Sequence, residues 1–479
     1  MKFISILCST MLLIGMVDSF SVVSVRAAGI LKQKQPFAIS STFQKSKPTK
    51  LFSAAAAIDE SEKSISGGGT ATIPNEIFNL VKSIVGSGVL GLPAGVAAYG
   101  NAPSAVLPAV AMIALIGSFS AYGFSLIGRV CSYTGAVSYP DAWSKSVSEE
   151  SSSIIAVSTI LKTMGAVLTY SMILADTGKA LAETAGIMTT RTTSLFGITS
   201  LVLLPLCWLK NLSSLAPFSL LGTLGMFYTI IAMAARYFGK AYALPGAKFL
   251  VESQFQPSFG SGGAASALHP SAFILICMLS TAYMAHFNAA KFFTELKDKT
   301  IKRFNTVVST SFGISVAIFA AITSLGFLTF GGNSSGLILN NYSAQDSLMS
   351  LSRIAVAISL IFSYPLAFQG ARDGALELFG IKDRSNKTLN TVTVALLALV
   401  TGLAYSLRDV SLVLAFSGAI LGNALIYVFP ALMLRGSVKK MKDASAALKR
   451  EAKFAMGVAG LGIGFGAVGL KMAIKSLTG

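Results

Sequence analysis

Charged side chains make up only 12% of this 479-residue chain, about half the roughly 25% usual in soluble domains. A water-soluble surface of that size cannot be built from so few. Histidine occurs twice, at His269 and His286, and cysteine four times, at Cys8, Cys131, Cys207 and Cys277. The cysteines are isolated, with no C-x-x-C pair, which argues against a disulfide framework or a zinc ribbon. Cys8 falls in a presequence, and the other three read as small membrane-buried side chains. Neither histidine stands at catalytic spacing from a carboxylate, so a membrane-embedded enzyme has no support here. No catalytic residue, cofactor site or metal site is assigned.

What the chain has instead is hydrophobicity, at 53% of residues. The apolar residues lie in blocks of about 20 or more, long enough to cross roughly 30 Å of hydrocarbon. Lipid cannot hydrogen-bond backbone N–H and C=O groups, so such blocks are helices or closed-barrel strands. The run Ile314–Phe330 lacks the period-two alternation of a barrel strand, which selects helices. The fold class is therefore an all-α membrane protein with about eleven transmembrane helices. Hydropathy places them near Asn75–Tyr99, Ser104–Val130, Ser153–Glu183, Thr193–Lys210, Leu212–Phe238, Pro270–Phe293, Lys302–Phe330, Leu348–Gly370, Lys387–Leu407, Val410–Leu434 and Ala452–Ala473. The loops richest in Lys and Arg, Lys291–Arg303 and Arg435–Lys453, share one side, which orients the N-terminus toward the cytosol-like face.

The formal charge of +18 invites a nucleic-acid reading, but no basic stripe with interleaved aromatics supports one. Much of the charge lies in the first 58 residues and in loops on one side, the pattern of targeting and orientation. Residues 1–19 resemble a signal peptide: Lys2, an apolar core from Ile4 to Val17, and a small-residue cleavage site at Val17-Asp18-Ser19. Residues 20–58 contain no acidic residue and are rich in Ser, Thr, Lys and Ala, as transit peptides are. A signal followed by a transit-like stretch opening on Phe20 resembles the bipartite presequence of plastids gained by secondary endosymbiosis. That implies a plastid envelope; a secretory signal with a disordered tail, and a plasma-membrane or endomembrane destination, is the alternative. Residues 59–73, with Gly67-Gly68-Gly69, form a flexible linker, and 74–479 form the transmembrane domain.

Two spans are interrupted. The first carries Gly86-Ser87-Gly88 at mid-depth, then Gly91 and Pro93, and the sixth carries Ala285-His286-Phe287-Asn288. Glycine weakens a helix and proline removes a backbone hydrogen bond, so the chain opens there. Discontinuous helices at matching places in two five-helix halves point to a transporter's binding site. Close helix packing through small residues is the alternative for the glycines. An opened helix offers unpaired N–H groups to a carboxylate and unpaired C=O groups to an ammonium, which suits an amino acid. Gly86, Ser87 and Gly88, with Ala282, Tyr283, Ala285, His286 and Phe287 across from them, are the candidate substrate contacts. Tyr170 on the third span is a further candidate through its hydroxyl, with plain packing as the alternative. His286 fits a proton carrier, a pocket wall or a satisfied structural histidine. Of the charged residues in the third span, Lys162 and Asp176, the latter lies near the outer end, where water can reach it.

These residues carry a resemblance to the amino acid/auxin permease family, which includes sodium-coupled neutral amino acid transporters. Phe78-Asn79 with Ile84-Val85-Gly86-Ser87-Gly88-Val89-Leu90-Gly91-Leu92-Pro93 resembles that family's opening helix. Leu204-Pro205-Leu206-Cys207 with Lys210-Asn211-Leu212, then His286 with Glu295-Leu296, then Pro365 with Arg372 follow in the family's order. The resemblance implies a LeuT-like fold of two inverted five-helix repeats, here with one extra helix. It also implies a secondary transporter that moves an amino acid by alternating access, where the alternatives are a channel or a carrier of another small organic solute. One position departs. Sodium-coupled members resemble one another in having asparagine where this chain has Lys82, and a lysine has no acceptor oxygen for an ion. Ser363 keeps the hydroxyl that the family places near the same ion. Lys82 and Ser363 thus mark the coupling-ion locus, and transport driven by a proton or unaided is expected rather than sodium coupling. The alternative is that Lys82 snorkels to the inner headgroups.

Overall fold

The computed structural model describes residues 69–208, 218–381 and 383–478. The presequence reading and the Lys210-Asn211-Leu212 motif fall outside the described residues. Helices α1 (Ile73–Ile84) and α2 (Leu92–Ala97) flank a short 3-10 segment, Ser87–Gly91. Then come α3 (Val106–Thr134), α4 (Tyr139–Ser146) and α5 (Ser153–Thr184). Helices α6 (Arg191–Ile198) and α7 (Leu204–Trp208) are joined through a π turn, and α8 (Phe218–Phe238) follows. Helices α9 (Ala272–Ala282) and α10 (Ala289–Glu295) are separated by a second break. Two long helices, α11 (Ile301–Phe330) and α12 (Ser347–Leu378), precede α13 (Asn386–Ser406), α14 (Val410–Ser417), α15 (Phe429–Lys440) and α16 (Ala446–Thr478). Among the described residues there is no strand, only two isolated bridges.

Among the described residues nine helical stretches are long and apolar enough to cross a membrane, and the bent α1–α2 pair makes a tenth. α8, 21 residues from Phe218 to Phe238, is apolar over Leu224–Phe238, so the count among the described residues stands close to the eleven expected. The protein is a multi-pass integral membrane protein. The helices start where hydropathy puts them because capping residues fix their ends. Thr190 Oγ1 accepts the Thr193 N–H at 3.1 Å and Thr300 Oγ1 that of Arg303 at 3.3 Å, each satisfying a donor the helix leaves free. α3 ends on Gly135, whose φ of 64° is the left-handed cap that glycine adopts without strain.

Packing follows from burial of the charges as well as of the apolar faces. Arg129 pairs with Glu451, tying α3 to α16. Arg236 grips Asp346 through two bonds of 2.8 and 2.7 Å, and the Tyr242 hydroxyl donates to the same carboxylate at 2.8 Å. Asp176 does not face water as its position suggested: it accepts from Arg191 at 2.6 Å and from the Asn340 amide at 3.1 Å. Arg353 is 1% exposed and donates to the carbonyls of Leu339, Tyr342 and Ser343. Ionisable groups inside a bundle persist when paired in this way. α1 packs chiefly on α11, while α9 lies against α14 and the π-helical turn that follows it.

Candidate functional site

The first break is built by backbone geometry. α1 stops at Ile84; Gly86 is extended (φ −108°, ψ −173°) before the 3-10 segment begins at Ser87. The two halves meet at 43°. The N–H groups of Ser87 and Gly88 have no backbone acceptor among the described residues. They point out of a helical start, where the local dipole favours negative charge. Two kinds of glycine share this segment. A Cβ on Gly91 would press on Leu414 at 2.8 Å, and one on Gly95 on Leu275 at 2.8 Å, so these two allow close packing. A Cβ on Gly86 would meet nothing within 4 Å, and one on Gly88 only ordinary contacts at 3.6 and 3.9 Å. Gly86 borders open space.

That space is a cavity of about 100 Å³. A buried water takes roughly 10–15 Å³ on this measure, so it holds about seven to ten non-hydrogen atoms. The first break supplies Ser83, Ile84, Gly86, Ser87, Gly88 and Val89 to its wall. α5 supplies Lys162, Gly165, Ala166, Thr169 and Tyr170, the sixth span Thr281, Ala282 and Met284, and α14 Leu414 and Ser417. The α5 residues are spaced i, i+3, i+4, i+7, i+8, one face of one helix.

Of the residues singled out in the sequence, Gly86, Ser87, Gly88, Tyr170 and Ala282 come together on this wall. Tyr283, Ala285 and His286 lie behind it. Near-zero ψ at Tyr283 and Ala285 (1° and 3°) swings the chain into a 3-10 turn, His286–Asn288, which carries these side chains away from the cavity. Tyr283 donates to the Ile113 carbonyl at 3.1 Å. The His286 Nε2 lies 2.8 Å from the Ser120 carbonyl, with the ring edge-on to Phe124. Phe287 is also off the wall, its ring face beneath the Lys162 ammonium at 3.8 Å. Lys82, in the last turn of α1, and Ser363, within α12, do not line the cavity. Among the described residues Lys82 has no ion pair.

Sequence reasoning gave Lys162 no role and passed over Thr281, Leu414 and Ser417. For Lys162 the signal was there, two turns before Tyr170 on the same face. For Leu414 and Ser417 the signal is fainter. Just after them the tenth span relaxes into π turns, Gly418–Gly422 and Ala424–Val428. Gly418 abuts the Cys277 carbonyl, and Thr281 Oγ1 donates to the Leu414 carbonyl at 2.6 Å. Glycine in a long apolar run was the visible trace of that close approach. Among the described residues no three His, Cys, Asp or Glu side chains gather as a metal site.

The sequence matches the family described as "Transmembrane amino acid transporter protein" over residues 69–471. It is 26% identical over 376 residues to the "Putative sodium-coupled neutral amino acid transporter 11" of Danio rerio, covering 76% of this chain and 79% of that one. The Rattus norvegicus protein of the same name is 21% identical over 370 residues, covering 76% and 78%. Among solved structures, the inward-facing conformation of Mhp1 superposes with a TM-score of 0.56 at 9% identity, covering 85% of this chain and 89% of the other. MhsT in complex with L-phenylalanine gives 0.51 at 12% identity, covering 83% and 99%. The fold is therefore LeuT-like, and a family match across most of the chain settles the assignment: this chain belongs to the transmembrane amino acid transporter protein family.

Proposed function

We propose that the chain carries amino acids across a membrane by alternating access, binding them in the cavity between the two helix breaks. Its family is one of transporters, not enzymes. The observation that carries the reading is the meeting of both breaks at one cavity, with Ser87 and Gly88, whose N–H groups have no backbone acceptor among the described residues, on its wall. The Ser87 and Gly88 N–H groups suit a carboxylate, and Tyr170, a residue of the same wall, brings a hydroxyl donor for it.

The relatives' names speak of sodium coupling and neutral substrates. In this chain a lysine stands at position 82, where an ion-holding amide would be expected, so we assign coupling to a proton or to none, with Lys82 and Ser363 as the locus. We also propose residues 1–19 as a signal peptide, 20–58 as a transit-like presequence leading to a plastid envelope, 59–73 as a linker and 74–479 as the transport domain. A fluorescent fusion of residues 1–58 tests the destination; retention at the plasma membrane or endoplasmic reticulum removes it. The purified protein in proteoliposomes, offered a panel of labelled amino acids with and without a sodium or pH gradient, tests the transport reading. Uptake of none of them would end it.

A further inference from the structure

Lys162 is the one charged residue on the cavity wall; among the described lining residues none is acidic. Its ammonium lies 3.8 Å from the centre of the Phe287 ring and makes no ion pair with any described carboxylate. Other cations of this bundle are differently placed. Arg129, Arg191 and Arg236 each have a carboxylate, and Arg353 has three backbone carbonyls. An aromatic face attracts a cation, but weakly compared with the hydration that a membrane-embedded ammonium gives up. The site therefore holds a positive charge whose counter-charge is missing from its own walls.

We propose that the cargo supplies it: the cavity selects amino acids of net negative charge, amino dicarboxylates small enough for about ten non-hydrogen atoms, and rejects those of net positive charge. This rests on the transport reading above and narrows its substrate class. The two carboxylates of such a cargo have two separate partners. One meets the Ser87 and Gly88 N–H groups at the opened first helix; the other meets Lys162 on α5. The cargo's ammonium is left to the hydroxyl and carbonyl oxygens around the breaks, Thr281 and Ser417 among them. An aspartate-like cargo of charge −1 with Lys162 of charge +1 gives a neutral loaded site, the state that reorients through a low-dielectric core with least opposition. A zwitterion leaves the site at +1, and a lysine-like cargo raises it to +2 with no acidic group to answer it.

The test is competition against labelled aspartate in proteoliposomes of the full chain, with alanine and lysine as rivals, and labelled alanine uptake measured alongside. The expected result is a preference for aspartate over alanine of tenfold or more, with lysine failing to compete. Lys162→Met should collapse the aspartate-to-alanine ratio by tenfold or more, and Lys162→Arg, which keeps the charge, should keep the preference. Alanine carried as well as aspartate by the unaltered protein, or an aspartate preference untouched in Lys162→Met, overturns the inference while leaving amino acid transport standing. Uptake of no amino acid at all by the unaltered protein overturns both. The unaltered protein's competition profile decides the matter even if a variant fails to fold.

Discussion

Replacing Gly86 separates a glycine kept for a ligand from one kept for packing. Its φ of −108° and ψ of −173° are open to any residue, and a Cβ there meets nothing within 4 Å. Gly86→Ala therefore leaves the fold intact and even gains about 0.4–1 kcal/mol by restricting the unfolded chain. The added methyl enters the cavity and fills roughly one water's place of the seven to ten available; Gly86→Val fills about three. Crowding a filled site by a methyl costs about 1–3 kcal/mol, or about a 5- to 150-fold weaker apparent affinity. Uptake by Gly86→Ala should thus show a KM raised about fivefold or more with a thermal midpoint no lower than that of the unaltered protein, and Gly86→Val should show no saturable uptake. The assay is initial-rate uptake in proteoliposomes paired with thermal unfolding in detergent. A Gly86→Val protein with normal KM would put the substrate elsewhere; one that unfolds would make Gly86 a packing residue.

Gly418→Ala should do the reverse, because its Cβ would run into the Cys277 carbonyl and lie 2.8 Å from Thr281 Oγ1; the expected sign is lost folded yield in size-exclusion chromatography. Asp346→Ala should lower stability by about 1–3 kcal/mol, since it takes both bonds from the partly exposed Arg236 guanidinium and frees the buried Tyr242 hydroxyl; thermal unfolding in detergent measures it. Exchanging sodium for choline should leave uptake unchanged, and Lys82→Asn, by restoring an amide oxygen, should introduce a measurable sodium dependence. Strong sodium dependence in the unaltered protein would refute the role given to Lys82.

The spans were legible because lipid thickness and backbone satisfaction leave few choices, and hydropathy reads both. α12 and α16 outrun their expected limits, Leu348–Gly370 and Ala452–Ala473, since polar residues such as Arg372 and Lys449 extend a helix without adding hydropathy. The first break was legible through its glycines. At the sixth, sequence showed that polar groups lie at depth but not which way they turn. That direction is set by two ψ angles near zero, which send His286 to the Ser120 carbonyl on α3 and leave Thr281, Ala282 and Met284 facing the cavity. Lys162 was visible as a charge in a span, yet its meaning depended on which helices face it, and sequence does not state that.

Arg353 turns a loop into something else. Inside α12, its guanidinium takes up three carbonyls of the segment from Leu339 to Ser343, a service that water performs for most surface turns. Asn341 adds bonds to Asn333 and Ser335, and Asn340 reaches Asp176 on α5. Amide hydrogens in this stretch should exchange with solvent on the timescale of the flanking helices, and an epitope tag inserted there should cost the protein its fold rather than decorate it.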